Sequence, residues 1–219
     1  MATILFDPQH LPIDSIAGEA AVAAERLTPG WLRQRFAAPP HWQPEVVDES
    51  GARHAQATRA SVLVPLVLRE DGLTILLTQR TDHLSQHAGQ VSFPGGRVEP
   101  TDTSAVDTAL RETEEEVGLA RRHVDVLGIL PDYYTGTGFC VTPVVGLIAP
   151  PFELRADPSE VAEIFEVPLA FLMDGLNHQR LSADLPFGRR SFYAMPYQRF
   201  YIWGATAGML RNLFHFLRA

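Results

Sequence analysis

The chain has 219 residues, enough for one domain with a full hydrophobic core, and its 46% hydrophobic and 20% charged residues exclude fibrous and low-complexity classes. A net charge of −8, from 18 Lys+Arg against 26 Asp+Glu, argues against a broad electrostatic surface for nucleic acid. Cys140 is the only cysteine, so no internal disulfide forms.

In chain order, residues 1–8 lack the basic-then-apolar pattern of a secretory signal. The apolar runs over 62–68 and 141–148 are too short to span a bilayer. A cytoplasmic protein with no membrane partner is expected. The alanine-rich stretch 17–26 predicts a helix, Thr28-Pro29-Gly30 punctuates, and 31–36 predicts a second helix before Ala38-Pro39-Pro40. Residues 1–58 are read as a helical lead-in, and 59–219 as the main domain.

Residues 61–68 and 73–78, joined across Glu70-Asp71-Gly72, predict a β-hairpin. Residues 89–93 predict a short strand stopped by Pro94. The strongest helix runs over 103–117, closed by Gly118 as a left-handed cap. Strands follow at 124–130 and 141–148, short helical pieces at 161–165 and 169–172, and a C-terminal helix at 205–218. Strands and helices mix without regular alternation, which predicts an α+β fold with helices on a mixed sheet.

The 103–117 helix carries the chemistry. At 100° per residue, Val106, Ala109, Leu110, Thr113 and Val117 share its apolar face. Glu112, Glu115 and Glu116, at i, i+3 and i+4, put three carboxylates on another. Like charges so spaced repel by roughly 0.2–0.5 kcal/mol per pair. They also crowd the helix end whose dipole prefers cations. A divalent metal removes both objections, because Mg²⁺ takes hard oxygen ligands. The rival reading is a merely solvated acidic face. Two features favour the metal: Gly95-Gly96 arrives ahead of the helix, where backbone can approach a ligand, and Arg111 is placed to brace Glu115 at i+4. Such a site suits attack of water on a phosphoanhydride.

Gly96, Asp102 and Arg111-Glu112-Thr113-Glu114-Glu115-Glu116-Val117-Gly118-Leu119 resemble the box of the Nudix hydrolases. Asp102 stands where that box has Glu, eight residues rather than seven precede Arg111, and Thr113 takes an aliphatic position. Leu76-Leu77-Thr78-Gln79-Arg80, with His87-Ala88-Gly89-Gln90-Val91-Ser92-Phe93-Pro94-Gly95-Gly96, is similar to the extra signature of the coenzyme A pyrophosphatase branch, which tends to carry the same departures. The resemblance runs from about residue 61 to 202–206 and does not cover 1–58.

The resemblance implies a Nudix α/β/α sandwich, with a mixed β-sheet between helices. It implies hydrolysis of coenzyme A or its thioesters to 3′,5′-ADP and 4′-phosphopantetheine or its acyl form, with Mg²⁺ or Mn²⁺. Glu112, Glu115 and Glu116 would hold the metal with the Gly96 carbonyl, and Arg111 would orient the carboxylates. Arg80, His87 and Gly95 would meet substrate. The general base is open among Glu115, Glu160 and Glu163, the last two equally readable as helix-capping acids. Tyr133 and Tyr134 are readable as an adenine stack or as packing. Another nucleoside diphosphate derivative (ADP-ribose or NADH) and a non-catalytic binding module are the alternatives. A homodimer is compatible with the sequence, and the role of Asp102 stays open.

Overall fold

The computed structural model describes residues 7–45, 56–83, 88–185 and 188–219. Strand β1 (Ile13–Ile16) comes first and pairs antiparallel with a strand from the far end of the chain. The helix expected over 17–26 forms only as a 3-10 turn at Ala24–Leu27. Long-range backbone bonds replace it: Ala17 N–H to the His178 carbonyl, 2.9 Å, and Val22 N–H to the Met173 carbonyl, 2.9 Å. Amides a helix would satisfy internally are satisfied across the fold instead. Helix α1 (Pro29–Ala37) does form, with Pro29 in its first turn, the Thr28 hydroxyl accepting from Trp31 N–H and Leu32 fully buried.

Strands β2 (Thr58–Arg69) and β3 (Gly72–Arg80) make the expected hairpin, closing at Arg69 opposite Gly72, whose φ of +118° suits glycine. Strands β4 (Val91–Ser92) and β5 (Gly95–Arg97) then pair with β3 and β2, and helix α2 (Ala105–Val117) follows. Strands β6 (Val124–Ile129), β7 (Tyr133–Tyr134) and β8 (Phe139–Ile148) come next. β2 and β8 run parallel from Thr58 opposite Phe139 to Val67 opposite Ile148, while the other pairings are antiparallel. The sheet is mixed, as predicted.

Residues 161–165 are not helical. They belong to strand β9 (Val161–Pro168), which lies along β3 from Arg80 to Thr74. Short apolar runs are ambiguous by periodicity, and the exposed edge of β3 decides this one. Helix α3 (Leu169–Leu172) follows as expected. Strands β10 (Gln179–Leu185), β11 (Gly188–Tyr197) and β12 (Phe200–Trp203) join β1 in a second, four-stranded antiparallel sheet that the sequence reading did not find. Helix α4 (Gly204–Arg218) closes the chain. No helix among the described residues is long and apolar enough to cross a membrane.

β2 is buried on both faces. Leu63 meets Val144 and Ala109 on the α2 side, with Val67, Ile148, Val117 and Leu119 extending that layer. Val64 and Leu66 point the other way, into the large core shared with Ile75, Leu77, Leu210 and Phe214. The result is the expected α+β sandwich, with the mixed sheet between α2 and the layer formed by α4 and the second sheet.

One buried cation ties the N-terminal segment to α4. Arg211 is 2% exposed. It pairs with both oxygens of Glu19, and its Nε lies 2.7 Å from Glu45. It also donates to His178 Nδ1 at 3.0 Å, which leaves His178 Nε2 to donate to the Leu172 carbonyl at 2.8 Å. Burial pushes His178 down to about 4, so the ring is neutral as this bonding requires. Removing the guanidinium strands two partly buried carboxylates. Arg211→Ala is expected to lower unfolding stability by about 3 kcal/mol, with Arg211→Lys recovering only part, measured by urea denaturation.

Candidate active site

The acidic helix begins two residues later than predicted. Ser104 caps it, its hydroxyl accepting from Asp107 N–H at 3.1 Å, and Gly118 ends it at φ +70° with its N–H on the Glu114 carbonyl. Its apolar face is the predicted one: Val106, Ala109 and Leu110 pack on the sheet, and Thr113 and Val117 are buried. The remaining face turns Glu112 and Glu116 toward β5, with Glu115 standing open beside them.

β5 brings the glycine pair to those carboxylates. Gly95 and Gly96 lie opposite Val62 and Ser61 of β2. A Cβ on Gly95 would lie 2.4 Å from the Ser61 carbonyl oxygen, and one on Gly96 would fall 2.4–2.6 Å from the Glu112 carboxylate. Only glycine permits the close approach of strand and acid. Gly95 N–H donates to Glu116 Oε2 at 3.1 Å.

Arg111 organises the cluster. Its Nη1 bridges Glu112 Oε1 at 2.9 Å and Glu115 Oε2 at 3.0 Å, the bracing expected from the i+4 spacing. Its Nε and Nη2 grip Asp102 at 2.9 and 3.0 Å, and Nη2 also donates to the Arg97 carbonyl. Asp102 further accepts from Thr108 Oγ1 and Glu99 N–H. With a side chain 2% exposed and both oxygens occupied, Asp102 is a positioning residue, and its carboxyl is held far below the usual range by Arg111. The sequence left this role open. The signal lay in its spacing to Arg111, which becomes a contact only when the loop folds back on the helix.

The three glutamates differ in environment. Glu116 is 4% exposed, and burial pushes its carboxyl up to about 7 against the opposing pull of Gly95 N–H and Arg80. Glu112 is half-buried and also raised, again first by burial. Glu115 is the most open of the three. Their oxygens share a face without closing to within 4.8 Å of one another as a triad. Like charges keep their distance.

Arg80 ends β3 with its guanidinium 3.6 Å from Glu116 and 3.9 Å from Glu160. The β3–β9 pairing makes this meeting, since Thr81 N–H bonds the Glu160 carbonyl at 3.0 Å. Glu160 acts electrostatically on both Glu112 and Glu116. Glu163 is instead engaged by Arg199. His87 lies outside the described residues. The donors gathered here are carboxylate oxygens beside strand backbone, a hard set that fits Mg²⁺ or Mn²⁺. A second group, Glu19, Glu45 and His215, is close enough to hold a cation, but Arg211 already serves there.

A family model described as NUDIX domain matches residues 57–184. An uncharacterized Nudix hydrolase, NudL, from Escherichia coli strain K12 is 45% identical over 156 residues, covering 71% of this chain and 80% of that protein. NudL of Escherichia coli O6:H1 is also 45% identical over 156 residues, with the same coverage. A crystal structure of a Nudix hydrolase from M. smegmatis, RenU, superposes with a TM-score of 0.46 at 23% identity, over 57% of this chain and 78% of that one.

The raised Glu116 carboxyl has a thermodynamic sign. Between its ordinary value of 4.5 and about 7, the folded chain keeps a proton that the unfolded chain releases. Its contribution to stability is therefore present at low pH and lost as pH rises through that window. Urea melts across the window are expected to show this slope in the wild type and a flatter one in Glu116→Gln. Equal slopes would reject it.

Proposed function

This chain belongs to the Nudix hydrolase family, a family of pyrophosphohydrolases, and on that premise we propose that it cleaves the pyrophosphate of coenzyme A or acyl-coenzyme A. Water adds to one phosphorus, the P–O–P bridge breaks, and 3′,5′-ADP leaves with 4′-phosphopantetheine or its acyl form. One observation carries the substrate reading. Arg80, from the branch-like stretch outside the box, stands 3.6 Å from Glu116 of the box. The two resemblances meet at one place in the fold.

Glu112, Glu115 and Glu116 would hold Mg²⁺ or Mn²⁺ together with the Gly96 carbonyl, and the family's typical use of a divalent metal agrees with that hard donor set. When bound there, such an ion would supply charge neutralisation for the bridging oxygen and a lowered pKa for a coordinated water. Arg111 fixes the directions of Glu112 and Glu115, so their carboxylates are aimed before substrate arrives. Glu160 accepts the proton of the attacking water: it stands beside the buried carboxylates, and no hydrogen bond occupies it at its nearest cation, 3.9 Å away. Arg80 faces the phosphates with its planar fork of donors, while the Gly95 N–H stays on Glu116 and leaves the backbone of the glycine pair close to the ligand. Glu163, held by Arg199, has no part in this assignment.

Incubation with coenzyme A and Mg²⁺ or Mn²⁺ in ¹⁸O water is expected to yield 3′,5′-ADP and 4′-phosphopantetheine, with label on one phosphorus. NADH or ADP-ribose cleaved much faster than coenzyme A would reassign the substrate. Glu115→Gln is expected to fold normally and lose turnover by about a hundredfold or more, the scale of removing one preorganised group from a reacting centre. Near-wild-type rates at saturating metal would contradict the site.

A further inference from the structure

Between β8 and β9 the chain returns to the end of the acidic helix. Phe152 and Leu154 pack on the layer that holds Val117 and Leu119. The residues after them take up carbonyls that α2 leaves unpaired at its C-terminus. Arg155 N–H donates to the Val117 carbonyl at 2.8 Å, and Asp157 N–H to the Glu116 carbonyl at 2.9 Å. Gly118 permits this approach, since a Cβ there would lie 3.1 Å from the Arg155 amide nitrogen and 3.2 Å from its carbonyl oxygen. The segment is thus tied to the backbone of a residue whose side chain stands in the site.

Asp157 then builds the turn that carries Glu160. Its Oδ1 accepts from Ser159 N–H at 2.8 Å and from the Ser159 hydroxyl at 2.7 Å. Its carbonyl accepts from Glu160 N–H at 3.1 Å and Val161 N–H at 2.8 Å. The end of β3 holds the other side: Thr81 N–H donates to the Glu160 carbonyl at 3.0 Å, and the Thr81 hydroxyl to the Ser159 carbonyl at 3.4 Å. A closed circuit results. It runs from the Glu116 carboxylate to Arg80, from Arg80 to Glu160, through the turn to Asp157, and back to the Glu116 carbonyl. Turns headed by an aspartate often do no more than punctuate a loop. Here both the anchor of the turn and the acid it carries belong to the site.

Resting on the assignment of Glu160 as the base, we propose that Asp157 is a positioning residue for it, setting the separation of Glu160 from the Glu116 carboxylate by joining both to one stretch of backbone. The need for such a device follows from the geometry. The Glu160 side chain is 48% exposed, and its nearest cation, Arg80, is 3.9 Å away, too far for a hydrogen bond to fix it. Its placement therefore depends on the main chain beneath it. A shift of about 1 Å at a reacting centre costs up to roughly a hundredfold in rate, so a loosened turn is felt in turnover.

The test is a double-mutant cycle on turnover of coenzyme A, with ADP-ribose or NADH serving equally because only variants are compared. Asp157→Ala is expected to lower kcat about tenfold with KM little changed, and Asp157→Asn, which keeps the Oδ1 acceptor, to restore most of it. Glu160→Gln is expected to lose about a hundredfold or more. Adding Asp157→Ala to Glu160→Gln should then cost nothing further, since no base is left to place. Losses that multiply, or a wild-type rate in Asp157→Ala beside an impaired Glu160→Gln, overturn the positioning role and leave the base standing. A wild-type rate in Glu160→Gln instead rejects the base, and the positioning role falls with it. Amide hydrogen exchange supplies a reading that needs no turnover. In Asp157→Ala the Glu160 and Val161 amides are expected to lose protection while those of α2 keep theirs, and unchanged protection at 160 and 161 overturns the proposal.

Discussion

The site depends on one guanidinium. Arg111 contacts Asp102, Glu112, Glu115 and the Arg97 carbonyl, so a single planar group connects the glycine strand, the loop after it and the acidic helix. A lysine would supply the charge without the fork, and the carboxylates would lose their common reference. Asp102 matters for the same reason: its bidentate grip fixes the guanidinium plane, and that plane fixes where Glu112 and Glu115 can point. The strain of clustering like charges at a helix terminus is contained by this arrangement, and the hard oxygen set it leaves suits a divalent ion.

A second guanidinium performs a different task in the same chemical terms. Arg211 joins Glu19 and Glu45 of the N-terminal segment to His178 before β10, while projecting from α4. It is nearly inaccessible, whereas Arg111 keeps an open margin. Arg211 therefore serves cohesion, and Arg111 holds groups ready for a ligand. Both show why an acidic chain keeps a few arginines in costly places. Each satisfies several acceptors at once, which a set of independent surface pairs does not do.

Much of the central unit was legible in the chain order of residues. The β2–β3 hairpin announced itself through Asp71-Gly72, and α2 through its apolar period and the glycine that ends it. The three carboxylates fell on one face because helical geometry leaves no alternative, and Gly96 stood where a side chain would collide with Glu112. These features are local. Their physics is contained within about fifteen residues, so periodicity and turn chemistry suffice to read them.

Other features required the fold. Residues 161–165 became a strand because the edge of β3 had backbone groups to satisfy, and 17–22 were drawn out along the 173–178 segment for the same reason. The four-stranded sheet joins residues 13–16 to 179–203, a pairing no short pattern encodes. Glu160 and Glu163 looked equivalent in sequence, yet one lies beside Arg80 and the other with Arg199. The sequence by itself determined the helix, its charges and the glycine turn, since those follow from bonded neighbours and helical spacing. Tertiary structure alone decided which distant acid reaches the carboxylates and what Asp102 holds, because contacts across strands depend on register rather than on proximity in the chain.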